Sequence, residues 1–110
     1  MTKEEIEAKA KELADKLKCK VKPIVFDVDG EQIVGYAQAP SYQVVLFCQN
    51  AMANGKNDDA LETALRDCLI VSESDARMNS EDRGNAMIKA SAALACVELL
   101  TPYMDALKKK

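Results

Sequence analysis

Two aspartates in the stretch Val25–Gly30, VFDVDG, have the spacing most typical of catalytic chemistry in this chain. Asp27 and Asp29 are separated by a single residue, so one carboxylate could act as a nucleophile and the other as a general acid. The chain contains no histidine. That excludes Ser-His-Asp and Cys-His nucleophilic centres and every metal site that uses a histidine ligand.

The same stretch resembles the first motif of haloacid-dehalogenase-type phosphatases, but the rest of the chain does not complete such a site. Glu31 stands where that family has a small β-branched or hydroxyl residue, and no lysine-bearing partner motif is evident. A chain of 110 residues is also too short for the required parallel-sheet core. Asp29-Gly30 is typical of a hairpin turn, and Asp27 with Glu31 lacks EF-hand spacing. We expect no enzyme, no catalytic residue and no cofactor.

Thiol and acidic clusters are the remaining candidates for chemistry. The cysteines lie 29, 20 and 28 residues apart, with no C-x-x-C pair, so we expect small buried side chains and not a metal site. Asp58-Asp59 and the polar stretch 72–82 are candidates for weak cation binding or partner docking, but helix capping and solvation explain them more simply. The four cysteines are Cys19, Cys48, Cys68 and Cys96.

Charge is distributed unevenly along the chain. The net charge is −3, but residues 1–22 and 88–110 are each basic by two, whereas residues 23–87 are acidic by seven. Such asymmetry favours self-association, and the basic surplus is too small to predict nucleic-acid binding. The chain has no membrane-length uncharged apolar stretch and begins with a charged segment unlike a secretory signal. We expect a cytoplasmic homo-oligomer that binds neither nucleic acid nor membrane.

A β-hairpin organises the predicted fold. Pairing outward from the Asp29-Gly30 turn sets Phe26 opposite Ile33 and Ile24 opposite Gly35. Because a lone two-stranded ribbon is marginal in water, helices or another chain must cover it. We predict one α+β domain, 1–110, in which an N-terminal helix (1–20) and a hairpin (21–39) precede a helical part (40–110) of three to four packed helices.

Helix boundaries follow from capping residues. Thr2 with Glu5 forms a capping box, and the narrow apolar stripe that follows indicates a helix either docked loosely or swapped onto a neighbouring subunit, with docking favoured. Ser41 caps a second helix through Ala53. Further predictions are listed along the chain: Asn57 or Asp58 capping a third helix, Ser80 capping a long helix from about Glu81 to Leu100, and Thr101-Pro102 restarting or kinking a last helix through Leu107.

The order of these features resembles the small tail assembly chaperones of long-tailed phages and prophages. The resemblance rests on the charged first helix, the aromatic-x-x-x-Pro-Ser end of the hairpin (Tyr36 to Ser41) and the sequence DCLIV from Asp67 to Val71. An acidic loop and the lysine-tipped terminal helix (108–110) complete it.

This resemblance implies a non-enzymatic role: binding the long, apolar, helical tape measure protein, or another tail protein, and keeping it soluble during tail assembly. It also implies self-association and, in many members, a longer form made by ribosomal frameshifting near the lysine-rich end. Two alternatives stay open from the residues alone. One is a small homo-oligomeric structural or adaptor protein of a phage particle, similar to a connector, and the other is a generic cytoplasmic protein-interaction domain.

Holding a helical client requires an exposed apolar groove. We predict that its walls come from the base of the hairpin and from the second helix, and that two residues of the last helix also face a partner. Phe47 belongs to the same helix, but we expect its side chain mainly inside the domain. The predicted partner-binding residues are Val25, Val34, Tyr36, Tyr42, Val45, Tyr103 and Met104.

Overall fold

A computed structural model describes residues 1–108 of the chain. It confirms the predicted α+β fold, an N-terminal helix and one antiparallel hairpin followed by helices. Lys109 and Lys110, part of the predicted lysine tip, lie outside the described residues. The elements are α1 (Lys3–Leu17), β1 (Val21–Val28), β2 (Glu31–Gln38), α2 (Tyr42–Ala53), α3 (Asn57–Cys68) and α4 (Ala86–Lys108), with 3-10 turns at Val71–Glu73, Ala76–Asn79 and Arg83–Asn85.

The hairpin has the predicted register. Asp29 and Gly30 form the turn with φ angles of 50° and 79°, the left-handed values that a type I′ turn needs at both central positions. Phe26 pairs with Ile33, as the turn position dictates. Since side chains alternate between the faces of a strand, this register decides which apolar residues point to each side of the ribbon.

Helices cover both faces of the hairpin. On the inner face, Ile24 and Ile33 are buried in the main core together with side chains of α2, α3 and α4. On the outer face, Tyr36 forms a separate, smaller cluster with residues of α1. The α1 helix begins with the predicted capping box, in which the Glu5 N–H donates to Thr2 Oγ1 (3.1 Å) and the Thr2 N–H donates to Glu5 Oε1 (2.8 Å). The ribbon is therefore the middle layer of the molecule.

The segment after α3 hydrogen-bonds to the edge of β2 that does not pair with β1. The Ile70 N–H donates to the Tyr36 carbonyl and the Asp75 N–H donates to the Val34 carbonyl, both at 2.9 Å. The Tyr36 N–H donates to Ser74 Oγ at 3.0 Å. The stretch predicted as a polar loop is thus hydrogen-bonded along β2. It covers the edge of β2 that an isolated hairpin would leave free.

Two side chains of this segment anchor it. Met78 is fully buried and lies against Gly35, where the strand has no side chain of its own. The Arg77 guanidinium donates to the Asp75 carboxylate and, across to the hairpin tip, to both carboxylate oxygens of Glu31 at 2.7 and 3.0 Å. These hydrogen bonds lower the pKa of Asp75 and of Glu31. Arg77 therefore pairs Asp75 of its own segment with Glu31 of the hairpin tip.

Two helix-start predictions are wrong. Ser80 does not cap the long helix, because its Oγ accepts from the Asp82 N–H and from Asn85 Nδ2 within the preceding turn, and α4 begins only at Ala86. The N-cap of α3 is Lys56, and it makes no side-chain capping hydrogen bond. Of the two outcomes predicted at Pro102, the helix does not restart there, since Pro102 lies inside α4.

The α4 helix is the central helix of the domain. The segment Arg83–Leu107 is long and apolar enough to cross a membrane by length and composition alone. In the structure, however, residues along one side of α4 are buried against the hairpin, α2 and α3, so a role as a core helix accounts for this composition. The alanine-rich middle of α4 (90–96) supplies part of that side. The buried residues of α4 are Ile88, Ala92, Ala93, Cys96, Leu99, Leu100 and Met104.

Replacing Gly35 by alanine should destabilise the domain. The added Cβ would clash with Met78 Sδ, and because Met78 is fully buried its side chain would have to repack within the core. Overpacking of this kind costs about 1–3 kcal/mol. Urea unfolding should show that loss for Gly35→Ala and almost none for the control Gly84→Ala, whose Cβ would meet no atom within 4 Å. Equal stabilities of the two variants would contradict the proposed packing.

The Arg77 contacts predict a pH-dependent contribution to stability. The folded-state pKa of Asp75 is lowered from its usual 3.8, so its stabilising effect is present above that pH and is lost as the pH falls through the lower folded value. Arg77→Gln should reduce the urea midpoint near pH 7, and its difference from wild type should shrink toward about pH 3. The exposed Arg83, changed to Gln, is the control. A difference that grows in acid would be inconsistent with this pairing.

Candidate partner-binding surface

The predicted partner-binding residues divide between surface and interior. Val34 is half-buried at the margin of the α1 cluster. Tyr36, Val45 and Met104 are buried, with 2%, 4% and 5% of their surfaces exposed. The exposed members are Val25, Tyr42 and Tyr103.

The predicted groove between the hairpin base and α2 is not open in this structure. The α1 helix covers Tyr36 and Val34 from the outer side of the hairpin, and Val45 lies on the inner side of α2, in the main core. Tyr36 and Val34 are covered because α1, which was expected to dock only loosely, packs its buried residues against them. Met104 likewise points into the core from the last turns of α4.

The outer side of α2 exposes large apolar side chains. Val45, Cys48 and Ala51 point inward, whereas Leu46 and Phe47 lie on the other side and are 42% and 47% exposed. The expectation that Phe47 is mainly inside is therefore wrong. Tyr42, one turn before Leu46, is 69% exposed. We call the surface formed by Tyr42, Leu46 and Phe47 the α2 face.

Charge is absent from α2. Its sequence, YQVVLFCQNAMA, contains no Asp, Glu, Lys or Arg, so the α2 face has no charged neighbour on its own helix, where the exposed polar residues include Gln43 and Asn50. By contrast, α1 carries acidic and basic residues over most of its exposed side. Soluble proteins rarely leave contiguous apolar surface without a functional reason, and depletion of charge is typical of the centre of protein interfaces. The α2 face is the candidate site.

Sequence reasoning found Tyr42 but missed Leu46 and placed Phe47 incorrectly. The run Val44–Cys48 is apolar at every position, so periodicity alone does not say which side is buried. A usable signal was the lack of any charged residue over the 12 residues of the helix. A helix that is buried only on one side normally carries charge on the other.

A further surface feature is a cleft whose lining includes charged side chains. A cleft of about 460 Å³ lies between α3 and the start of α4, with Leu61 and Leu65 at its base. Its rim is charged, and Lys89 pairs across it with Glu81 at 2.7 Å. Within residues 1–108, no group of His, Cys, Asp and Glu side chains is arranged to hold a metal ion. Asp27, raised above as a possible catalytic carboxylate, is exposed near the hairpin tip.

Burial makes three of the thiols unreactive. Cys48, Cys68 and Cys96 are fully buried in the main core, and burial raises the pKa of Cys68 and Cys96 to about 12. A thiol protonated at neutral pH is a poor nucleophile and a poor metal ligand. Cys19, between α1 and β1, is partly exposed. Cys48, Cys68 and Cys96 thus act as the expected small core side chains, whereas Cys19 does not.

Thiol labelling should separate these two environments. At about pH 8, Ellman's reagent should modify Cys19 in the native protein within minutes, because partial exposure of the thiol admits the reagent. Cys48, Cys68 and Cys96 should react only after urea unfolding. A Cys19→Ser variant is the control and should show almost no native labelling. Rapid native labelling of this variant would show that the core is open.

The sequence matches no protein-family model, and the chain shows no significant match to a curated protein or to a solved structure. Its function is therefore argued from its own residues and surfaces.

Proposed function

We propose that this chain is a non-enzymatic protein-binding domain that holds an apolar helical partner against the α2 face. The observation that carries the proposal is the combination of three large exposed apolar side chains with a helix that contains no charged residue. Helix-in-groove and helix-on-helix recognition uses apolar anchors at i, i+4 spacing, the spacing of Tyr42 and Leu46. Phe47 broadens the contact on one side.

The chemistry of the α2 face favours a client that is itself apolar and uncharged along the contact. An Asp, Glu, Lys or Arg side chain buried there would lose hydration without gaining an opposite charge, which costs free energy. The side-chain amides of Gln43 and Asn50 on the same helix can donate and accept hydrogen bonds, but they do not select one sign of charge. Such a surface suits a repetitive apolar helix better than a single charged epitope.

The tail assembly chaperone suggested by the order of sequence features is the specific form of this proposal. In that role the chain binds the tape measure protein and keeps its long apolar helix soluble while the tail is assembled. The α+β fold and the exposed α2 face are compatible with the role and support it. Because the client must finally leave, a contact made of a few apolar anchors is more suitable than an extensive interface.

A structural protein of a phage particle is the second candidate. The specific observation in its favour is a further exposed apolar pair on α4, where Met87 and Leu94 are 71% and 54% exposed. These residues lie two helical turns apart and could join copies of the chain. A structural protein would remain in purified particles, whereas a chaperone would be absent from them.

Introducing a charge into the α2 face should abolish client binding. Leu46→Glu replaces a side chain that is already 42% exposed, so the fold should be retained while a carboxylate enters the proposed contact. We expect the amount of tape measure protein that co-purifies with the tagged chain to fall at least about tenfold, equivalent to about 1.4 kcal/mol.

The matched control is Leu94→Glu, the same change at an exposed leucine of another helix. It should leave client recovery unchanged if α2 is the site. Equal recovery with Leu46→Glu and wild type would exclude the α2 face. Loss with Leu94→Glu alone would transfer the site to α4.

A further inference from the structure

A second apolar face lies on the outer side of α4. Met87 and Leu94 are both more than half exposed, and they lie on the side of the helix opposite the residues that are buried in the main core. Between them, Ala90 is exposed and Ser91 is half-buried. We call the surface formed by Met87, Ala90, Ser91 and Leu94 the α4 face. Its midpoint lies between the two small residues.

Charged side chains of opposite sign lie beyond the two ends of the α4 face. Arg83 lies in the 3-10 turn that leads directly into α4, and Glu98 lies about one turn beyond Leu94. Between Lys89 and Glu98 the helix contains no charged residue. Within residues 1–108, neither Arg83 nor Glu98 forms an ion pair. Both exposed charges are therefore available to another molecule.

The α4 face is complementary to itself when two copies of α4 run in opposite directions. Met87 and Leu94 are equally distant from the midpoint of the face. A two-fold axis at the midpoint therefore sets Met87 level with Leu94 of the second copy, so that large apolar side chains meet in two places. Arg83 and Glu98 are also equally distant from the midpoint. The same axis sets each arginine level with a glutamate of the other copy.

Charge distinguishes this arrangement from a parallel one. In a parallel pair of helices, Arg83 would lie beside Arg83 of the second copy, and Glu98 beside Glu98 of the second copy, and like charges repel. The antiparallel pair replaces both repulsions by attractions. The small side chains at the midpoint also allow the two helix axes to approach closely where they cross.

We propose that the α4 face is a homodimer interface, and that its occupant is the antiparallel α4 of a second copy of this chain. Met87 packs against Leu94 of the second copy, and Arg83 pairs with Glu98 of the second copy, each contact being made twice. Only two large apolar side chains from each copy take part, so the dimer is a weak one. The inference does not depend on the proposed function, and the interface uses no residue of the α2 face.

Sedimentation velocity of the purified full-length chain tests the proposal. Between about 10 µM and 1 mM, the wild-type chain should shift from a monomer to a species of twice the mass, as expected for a weak dimer. Leu94→Glu should weaken the dimer at least about tenfold, because the two-fold axis places two carboxylates in the apolar contact. Leu46→Glu is the matched control, the same change at an exposed leucine of α2, and it should leave dimerisation unchanged.

Charge reversal tests the antiparallel pairing. Arg83→Glu brings glutamates together at both ends of the contact, and Glu98→Arg brings arginines together there, so each variant alone should dimerise about tenfold more weakly than wild type. Mixed in equal amounts, the two variants should form a heterodimer of nearly wild-type affinity, because every glutamate again meets an arginine. Lys16→Glu, a charge reversal on the exposed side of α1, is the control and should dimerise like wild type.

Three outcomes would overturn the proposal. The first is a chain that stays monomeric at about 1 mM. The second is a dimer that Leu46→Glu dissociates and Leu94→Glu does not, which would place the second copy on the α2 face. The third is failure of the two charge-reversed chains to form a heterodimer, and this test remains decisive if circular dichroism shows Leu94→Glu to be unfolded. None of these measurements includes a client, so their failure is distinct from failure of the proposed function.

Discussion

A two-stranded ribbon is only marginally stable in water, and the rest of this fold consists of what covers the ribbon. The chain places α1, from its beginning, on one face and α4, from its end, on the other. The segment between α3 and α4 pairs with the remaining edge of β2. A slip of one residue in the hairpin would move Ile33 from the core to the α1 side, so the turn at Asp29-Gly30 fixes both interfaces together.

Covering the ribbon in this way leaves apolar surface elsewhere. Because α4 fills the space against the hairpin, α2 packs mainly on α3 and α4 and needs only one buried side. Val45 and Cys48 satisfy that requirement, and Leu46 and Phe47 are left outside with no charged neighbour on their own helix. Burial for folding does not explain these two side chains. The proposed binding function would account for them, since exposed apolar surface lowers solubility unless a partner covers it.

Turns and helix caps were predictable from the sequence, but the packing of distant elements against one another was not. The turn at Asp29 and the caps at Thr2 and Ser41 depend on residues within three or four positions, so the sequence pattern identifies them. The orientation of Phe47 depends on which side of α2 meets distant helices, and an all-apolar run gives no direction. Met78 was missed because it stands among polar residues, although a lone large apolar side chain in such a stretch is itself a sign of burial.

The α2 face alone supports only a weak contact. Full burial of a large apolar side chain stabilises by about 1.5–3 kcal/mol, and the three anchors are already partly covered, so each gains only part of that amount. Association costs about 4–15 kcal/mol in lost freedom. A single copy would therefore release its client readily. Holding a long helix requires several contacts at once, since linked sites raise the effective concentration of each other. Several copies bound along a repetitive client would supply these contacts.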